Sequence, residues 1–261
     1  MTQAIKGNNI NKNIIIIMKL FKFLSILLFT IIISSCDNSR DENEWLVGTS
    51  PDNPPYEYIE DGKVVGFDID VINEIGKHLG KKITIQNMEF HNLLAALSSN
   101  SLDLSIAGFS ITSDRKTRVD FSVPYTSATV ALLYKKKSKI DSLSDLNGKK
   151  VGAQLGTIWS LIAHDLALKY KCNVSALSNN LLLVEELKSG SISAVVLEEA
   201  QAKKFTKINS QLEMFLLNDF SSSFAIAFPK GSKIKTNVDH TIKTLHRNGT
   251  IDKLKTKWGI K

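Results

Sequence analysis

With two cysteines in 261 residues, the chain has little scope for disulfide chemistry. Cys36 closes an apolar run and Cys172 is the only other, so no bridge forms within the part beyond Cys36, although an exported protein would be permitted one. Cys172 also lacks a Cys-x-x-Cys partner and reads as a small packing residue. The five histidines (His78, His91, His164, His240, His246) show no His-x-x-x-His spacing, and no metal or other cofactor is expected. No Ser-His-Asp set, P-loop or zinc motif is visible, so no catalytic residue is assigned. Clustered basic charge is missing as well. The dense run Lys135-Lys136-Lys137 with Lys139 reads as a solvated strand end, which excludes a nucleic-acid face. The formal charge of +7 falls to about +3 once Lys6, Lys12, Lys19 and Lys22 are set aside, leaving 29 basic against 26 acidic residues.

Acidic residues are absent before Cys36. Met18-Lys19-Leu20-Phe21-Lys22 is a short basic segment. Phe23 to Ile33 is an apolar run of 11 residues, interrupted by Ser25 and Thr30. That run is short for a membrane span, although adding Ile14–Ile17 would lengthen it into a retained anchor. A basic segment, a short apolar core and small residues read as a secretory signal over 1–35, with Met18 as the natural start. Ile33-Ser34-Ser35-Cys36 resembles the bacterial lipobox, which implies a lipid on Cys36 and attachment to a bacterial membrane. Asp37 resembles a signal for inner-membrane retention. The polar stretch through Glu44 reads as a tether over 36–44.

Beyond the tether, strands alternate with helices. Trp45–Thr49 reads as a strand, Tyr56–Ile59 as an edge strand and Asp61-Gly62 as a hairpin turn. Ile69, Ile72, Ile75 and Leu79 recur at helical spacing after Gly66-Phe67-Asp68, and Gly80 stops that helix. Ile83–Met88 is a strand and Asn92–Leu97 a helix. Leu102–Ala107 reads as a buried strand that breaks at Gly108, passes Ser110 and Thr112, and enters a helix with Arg115 in its first turn. Backbone N–H groups, a helix N-terminus and a two-pronged guanidinium then converge on one spot, a trap for a carboxylate. The pattern restarts at Thr129–Tyr134 and runs through Val151–Gln154, a helix over Ile158–Tyr170, Ser191–Leu197 and Leu212–Leu217. Ser221-Ser222-Ser223 reads as a linker, followed by a strand over Phe224–Phe228 and two amphipathic helices. This predicts two α/β lobes with mostly parallel sheets, divided as 45–128, 129–222 and 223–261, with the last part packing back on the first and two hinge crossings.

Val65-Gly66-Phe67-Asp68-Ile69-Asp70, Ile106-Ala107-Gly108-Phe109-Ser110-Ile111-Thr112 with Arg115, Asp120-Phe121-Ser122, Ala227-Phe228-Pro229-Lys230-Gly231 and Lys257-Trp258-Gly259 run in one order. That order resembles the family 3 extracellular solute-binding proteins, the polar amino-acid-binding components of ABC importers, and most of all their arginine- and glutamine-binding members. The resemblance implies a two-lobed periplasmic-binding-protein fold of type II that closes on a free amino acid, a monomer in the cell envelope, and an ABC permease as partner. It implies Arg115 on the ligand α-carboxylate, with Ser110 and Thr157 assisting. Gly108, Ser110 and Glu198 are implied on the α-ammonium, Phe90 against the side chain, and Ser50 and Asn53 at its tip. Many basic-amino-acid binders carry Asp where this chain has Ser50, an aromatic at Asn53, and Asp at Glu198. Asp52 or Glu57 would have to supply the missing acid, and Trp159 stands where a small or polar residue is usual. Two rival readings are a same-fold enzyme of the cyclohexadienyl dehydratase type and a sensing or adhesion protein. A sensor is expected to continue into a membrane span, whereas this chain stops at Lys261.

Overall fold

The computed structural model describes residues 41–260. The expected signal over 1–35, the start at Met18, the lipid-bearing Cys36 and the retention residue Asp37 lie outside the described residues. Among the described residues, no helix is long and apolar enough to cross a membrane.

Two five-stranded sheets organise the chain. The elements of the first are β1 (Glu44–Thr49), a small antiparallel sheet of β2 (Asp52–Asn53), β3 (Glu57–Glu60) and β4 (Lys63–Val65), then α1 (Phe67–Leu79), β5 (Lys82–Asn87), α2 (Phe90–Ser98), β6 (Leu104–Ser105), α3 (Ser113–Arg118) and β7 (Val119–Phe121). The chain then crosses on β8 (Thr126–Lys135) into β9 (Lys150–Gln154), α4 (Ile158–Tyr170), β10 (Asn173–Leu177), α5 (Asn180–Ser189), β11 (Ala194–Glu198) and α6 (Glu199–Ile208). It returns on β12 (Leu212–Phe224) to β13 (Ala227–Pro229), α7 (Lys235–Arg247) and α8 (Thr250–Trp258). The first sheet runs β5-β1-β6-β13-β7 and the second β10-β9-β11-β8-β12. In each, four strands run one way and a single strand, β13 in the first sheet and β8 in the second, pairs antiparallel with both its neighbours, so the sheets are mixed. The antiparallel pairings of the second sheet are those made by β8, one of them with the other crossing strand, β12.

Local sequence accounts for most elements. In α1, Phe67, Val71, Ile72 and Ile75 are fully buried on one face. Gly80 follows at φ 65°, and the Lys81 N–H donates to Gly76 O at 2.8 Å, a Schellman closure of the last turn. The Asp70 carboxylate accepts from Lys257 Nζ and Trp258 Nε1, both at 2.7 Å, and so ties α8 back onto α1. Strand β11 is buried on both faces, as its run Ala-Val-Val-Leu requires.

Two expectations change. Leu102–Ala107 is buried throughout apart from half-exposed Asp103, but only Leu104–Ser105 pair as strand. Ser221, Ser222 and Ser223 are not a loose linker. They sit within β12, paired with Thr129, Ala128 and Ser127, after a bulge that follows Leu217. The two crossings are therefore one antiparallel ribbon. Beneath it Tyr56 packs edge-on against Phe224 and Phe67, with centroids at 5.4 and 6.2 Å, and Phe67 reaches Tyr125 at 6.0 Å.

Candidate binding cleft

Strands β1, β6, β9 and β11 end at a cleft between the sheets, where ligands settle in open α/β folds. A small, largely filled cavity lies there. Asn53, Glu57, Phe90, Gly108, Ser110 and Arg115 line it from the first sheet's side, and Gln154, Thr157, Trp159 and Glu198 from the second's. Seven of the eight residues expected at the ligand thus meet in one place. Ser50 does not. Its hydroxyl turns to Asp52 Oδ1 at 3.4 Å, and it lines a separate groove with Met88, Leu181 and Phe205.

Arg115 is 5% exposed. The Thr112 side chain caps α3 by accepting the Arg115 N–H at 3.2 Å, which fixes where the side chain leaves the backbone. Its Nη1 donates to Ser110 O at 2.8 Å and its Nη2 to Gly156 O at 2.9 Å. The guanidinium carbon lies 5.5 Å from the Phe90 ring centre and 5.6 Å from that of Phe109. Among the described residues no carboxylate forms an ion pair with it, and burial lowers its pKa to about 10, with repulsion from Arg118 adding to the effect.

Glu198 ends β11 and is 4% exposed. Trp159 Nε1 donates to its Oε1 at 2.5 Å. Burial pushes its pKa up to about 7 despite that bond. Trp159, read from sequence as narrowing the pocket, is thus also the donor that orients the acid. Thr157 caps α4: its hydroxyl donates to Gln154 O at 2.6 Å and accepts the Ser160 N–H at 3.2 Å. Gly108 adopts φ +55°, and a Cβ there would come 3.2 Å from Phe224. The turn is held from below by Asp68, whose Oδ2 accepts the Gly108 N–H at 2.9 Å and the Tyr125 hydroxyl at 2.7 Å.

The cleft is closed. Asp52 Oδ2 accepts Gln154 Nε2 and the Asn180 N–H, both at 2.8 Å, and so reaches the N-terminus of α5 from the other side. Gly156 (φ +79°) sits so near that a Cβ would lie 3.0 Å from His91 Cβ. Sequence reasoning assigned no role to Asp68 or Gln154 and left Asp52 and Glu57 unplaced. The Gly-Phe-Asp box was the signal for Asp68. Desolvation raises the pKa of Asp52 and of Asp68 to about 6. The cavity is therefore lined by one guanidinium and two buried carboxyls, Glu57 and Glu198, an arrangement that suits a zwitterion carrying an additional positive charge.

Comparison with known proteins agrees with this chemistry. The model of the bacterial extracellular solute-binding proteins, family 3, matches residues 46–261. The arginine-binding extracellular protein ArtP of Bacillus subtilis is 35% identical over 237 residues, covering 88% of this chain and 93% of that protein. An ancestral arginine-binding protein solved with arginine superposes with a TM-score of 0.79 at 36% identity, covering 84% of this chain and 99% of that one. The amino acid ABC transporter substrate-binding protein AbpA of Streptococcus pneumoniae, bound to L-arginine, gives 0.76 at 38% identity, with 81% and 92% covered.

Proposed function

The chain belongs to the bacterial extracellular solute-binding proteins, family 3, and from that premise we propose that it captures a free amino acid with a cationic side chain, arginine foremost, for an ABC permease. The observation that carries this is that Arg115, a buried guanidinium with no ion-pair partner among the described residues, faces Glu198 across one closed cavity that Glu57 also lines. The ligand α-carboxylate takes the Arg115 fork, assisted by Ser110 and Thr157. The α-ammonium takes Glu198 and the Gly108 carbonyl. Phe90 packs on the side chain, and Asn53 faces its tip. Because Arg115 and Glu198 stand on opposite sides, one ligand bridges them and favours closure. Its relatives' names, all binding proteins for amino acids, support capture rather than catalysis.

The mature chain on this reading is a monomeric lipoprotein of the cell envelope. A signal over 1–35 is removed, a lipid on Cys36 holds the tether 36–44 to a membrane, and lobes of 45–128 with 223–261 and of 129–222 carry the cleft. The two mixed sheets and their shared ribbon support that division. A thermal-shift screen against the twenty amino acids plus ornithine and citrulline tests the ligand. At 1,000 times its dissociation constant, arginine is expected to add about 4 kcal/mol, a shift of several degrees. No shift with any amino acid, together with turnover of prephenate, would overturn this reading.

A further inference from the structure

Among the described residues, four buried side-chain polar atoms lack a hydrogen-bond partner: Asn53 Oδ1, Glu57 Oε2, Asp68 Oδ1 and Gln201 Oε1. All four are acceptors, and their residues gather at one corner of the cleft. Asn53 Nδ2 donates to Glu57 Oε1 at 3.2 Å, a Cβ on Gly108 would lie 3.5 Å from that Nδ2, and the Gly108 N–H donates to Asp68 Oδ2. Gln201 reaches the same corner from the second sheet's side. Its Nε2 donates at 3.4 Å to Asp52 O, the carbonyl bonded to the Asn53 nitrogen. Buried polar atoms normally have partners, so a cluster of lone acceptors marks a place for a group that only donates. Gln201 is fully buried in the first turn of α6, three residues after Glu198. A glutamine at that position ordinarily reaches back to the N–H that opens its helix. Here its Oε1 accepts nothing and its amide turns across to β2 instead. Reversing the amide would set Oε1 against Asp52 O, acceptor against acceptor, so the unpartnered atom is the oxygen.

We propose that Gln201 reads the far end of the ligand side chain: its Oε1, together with Asn53 Oδ1, accepts the terminal N–H groups of a guanidinium. This rests on the amino-acid reading above and adds a specificity-determining residue on α6, on the opposite side of the cleft from Asn53. A guanidinium carries five N–H donors and no acceptor, which matches a corner that offers oxygens alone. Because one amide comes from each side, a long side chain that engages both also bridges the two halves. Ornithine carries its single side-chain nitrogen where arginine has Nε, so it stops short of the two amides and gains nothing from Gln201.

Gln201→Met keeps the length of the side chain and removes the unpartnered oxygen. Its ligand-free melt is expected to be unchanged or raised, because a buried acceptor without a donor gives way to an apolar group of similar shape. Titration calorimetry is expected to show arginine binding weakened at least about tenfold and ornithine binding by less than about threefold, so the preference for arginine over ornithine shrinks. Arginine affinity within about threefold of wild type, or equal losses for the two ligands, overturns the role of Gln201 and leaves amino-acid capture standing. Absence of binding of any amino acid by the wild-type protein overturns both.

Discussion

Removing the Arg115 charge separates binding from stability in a way that few substitutions do. Arg115→Met keeps the hydrophobic stem against Phe90 and Phe109 and deletes the guanidinium. In the ligand-free protein the loss is two charge-assisted bonds, to Ser110 O and Gly156 O, each worth about 1.5–3 kcal/mol. The gain is relief of an uncompensated buried cation. Burial lowers its pKa to about 10, equivalent to roughly 3 kcal/mol of disfavoured ionisation. These oppose each other and leave a net change of about 3 kcal/mol or less in the unliganded melt. Binding has no such offset. A ligand carboxylate facing a methionine in a dry cavity loses its bidentate partner, at about 3–5 kcal/mol, which weakens affinity roughly 10²–10⁴-fold. Calorimetric melting without ligand and titration with arginine measure the two halves. An affinity within about threefold of wild type would refute the assignment, whatever the melt did.

Other perturbations probe the same cleft. Asp52→Ala removes the bonds to Gln154 and Asn180, so the ligand-free protein should show a larger radius of gyration by solution scattering while arginine still closes it. Gly156→Val combines a strained φ of +79° with a clash against His91 and should weaken arginine binding at least tenfold, or by about 1.4 kcal/mol, seen by titration. Trp159→Phe deletes the donor to Glu198 and should weaken binding by about 1 kcal/mol. The pKa values of Asp52 and Asp68 (about 6) and of Glu198 (about 7) are raised in the fold. The folded state therefore binds more protons than the unfolded chain between about pH 4 and 7. Ligand-free stability accordingly falls as pH rises through that window, by a few kcal/mol in all; thermal melts at pH 5 and pH 8 check the sign.

What the sequence made legible was local. Helix α1 was readable from the spacing of Ile69, Ile72, Ile75 and Leu79 and from the glycine that ends it. The Arg115 turn was readable because a strand, a glycine, hydroxyls and a helix start follow one another within a few residues. The less legible features are contacts between distant positions. Asp52 meets Asn180 across 128 residues and Trp159 meets Glu198 across 39, and no periodicity encodes either. Ser221–Ser223 have the composition of a loop, yet their backbone pairs with 127–129, because strand hydrogen bonds are made by main-chain groups that composition does not reveal. Ser50 was drawn into the expected site by its place in a loop, and the register of β2 turns it toward Asp52 instead.

A crystal structure grown with arginine tests the central claim most directly. The account predicts one arginine in the cavity, its α-carboxylate on the Arg115 guanidinium and its α-ammonium on Glu198. An empty cavity at saturating arginine, or a ligand bound with its carboxylate away from Arg115, would contradict it.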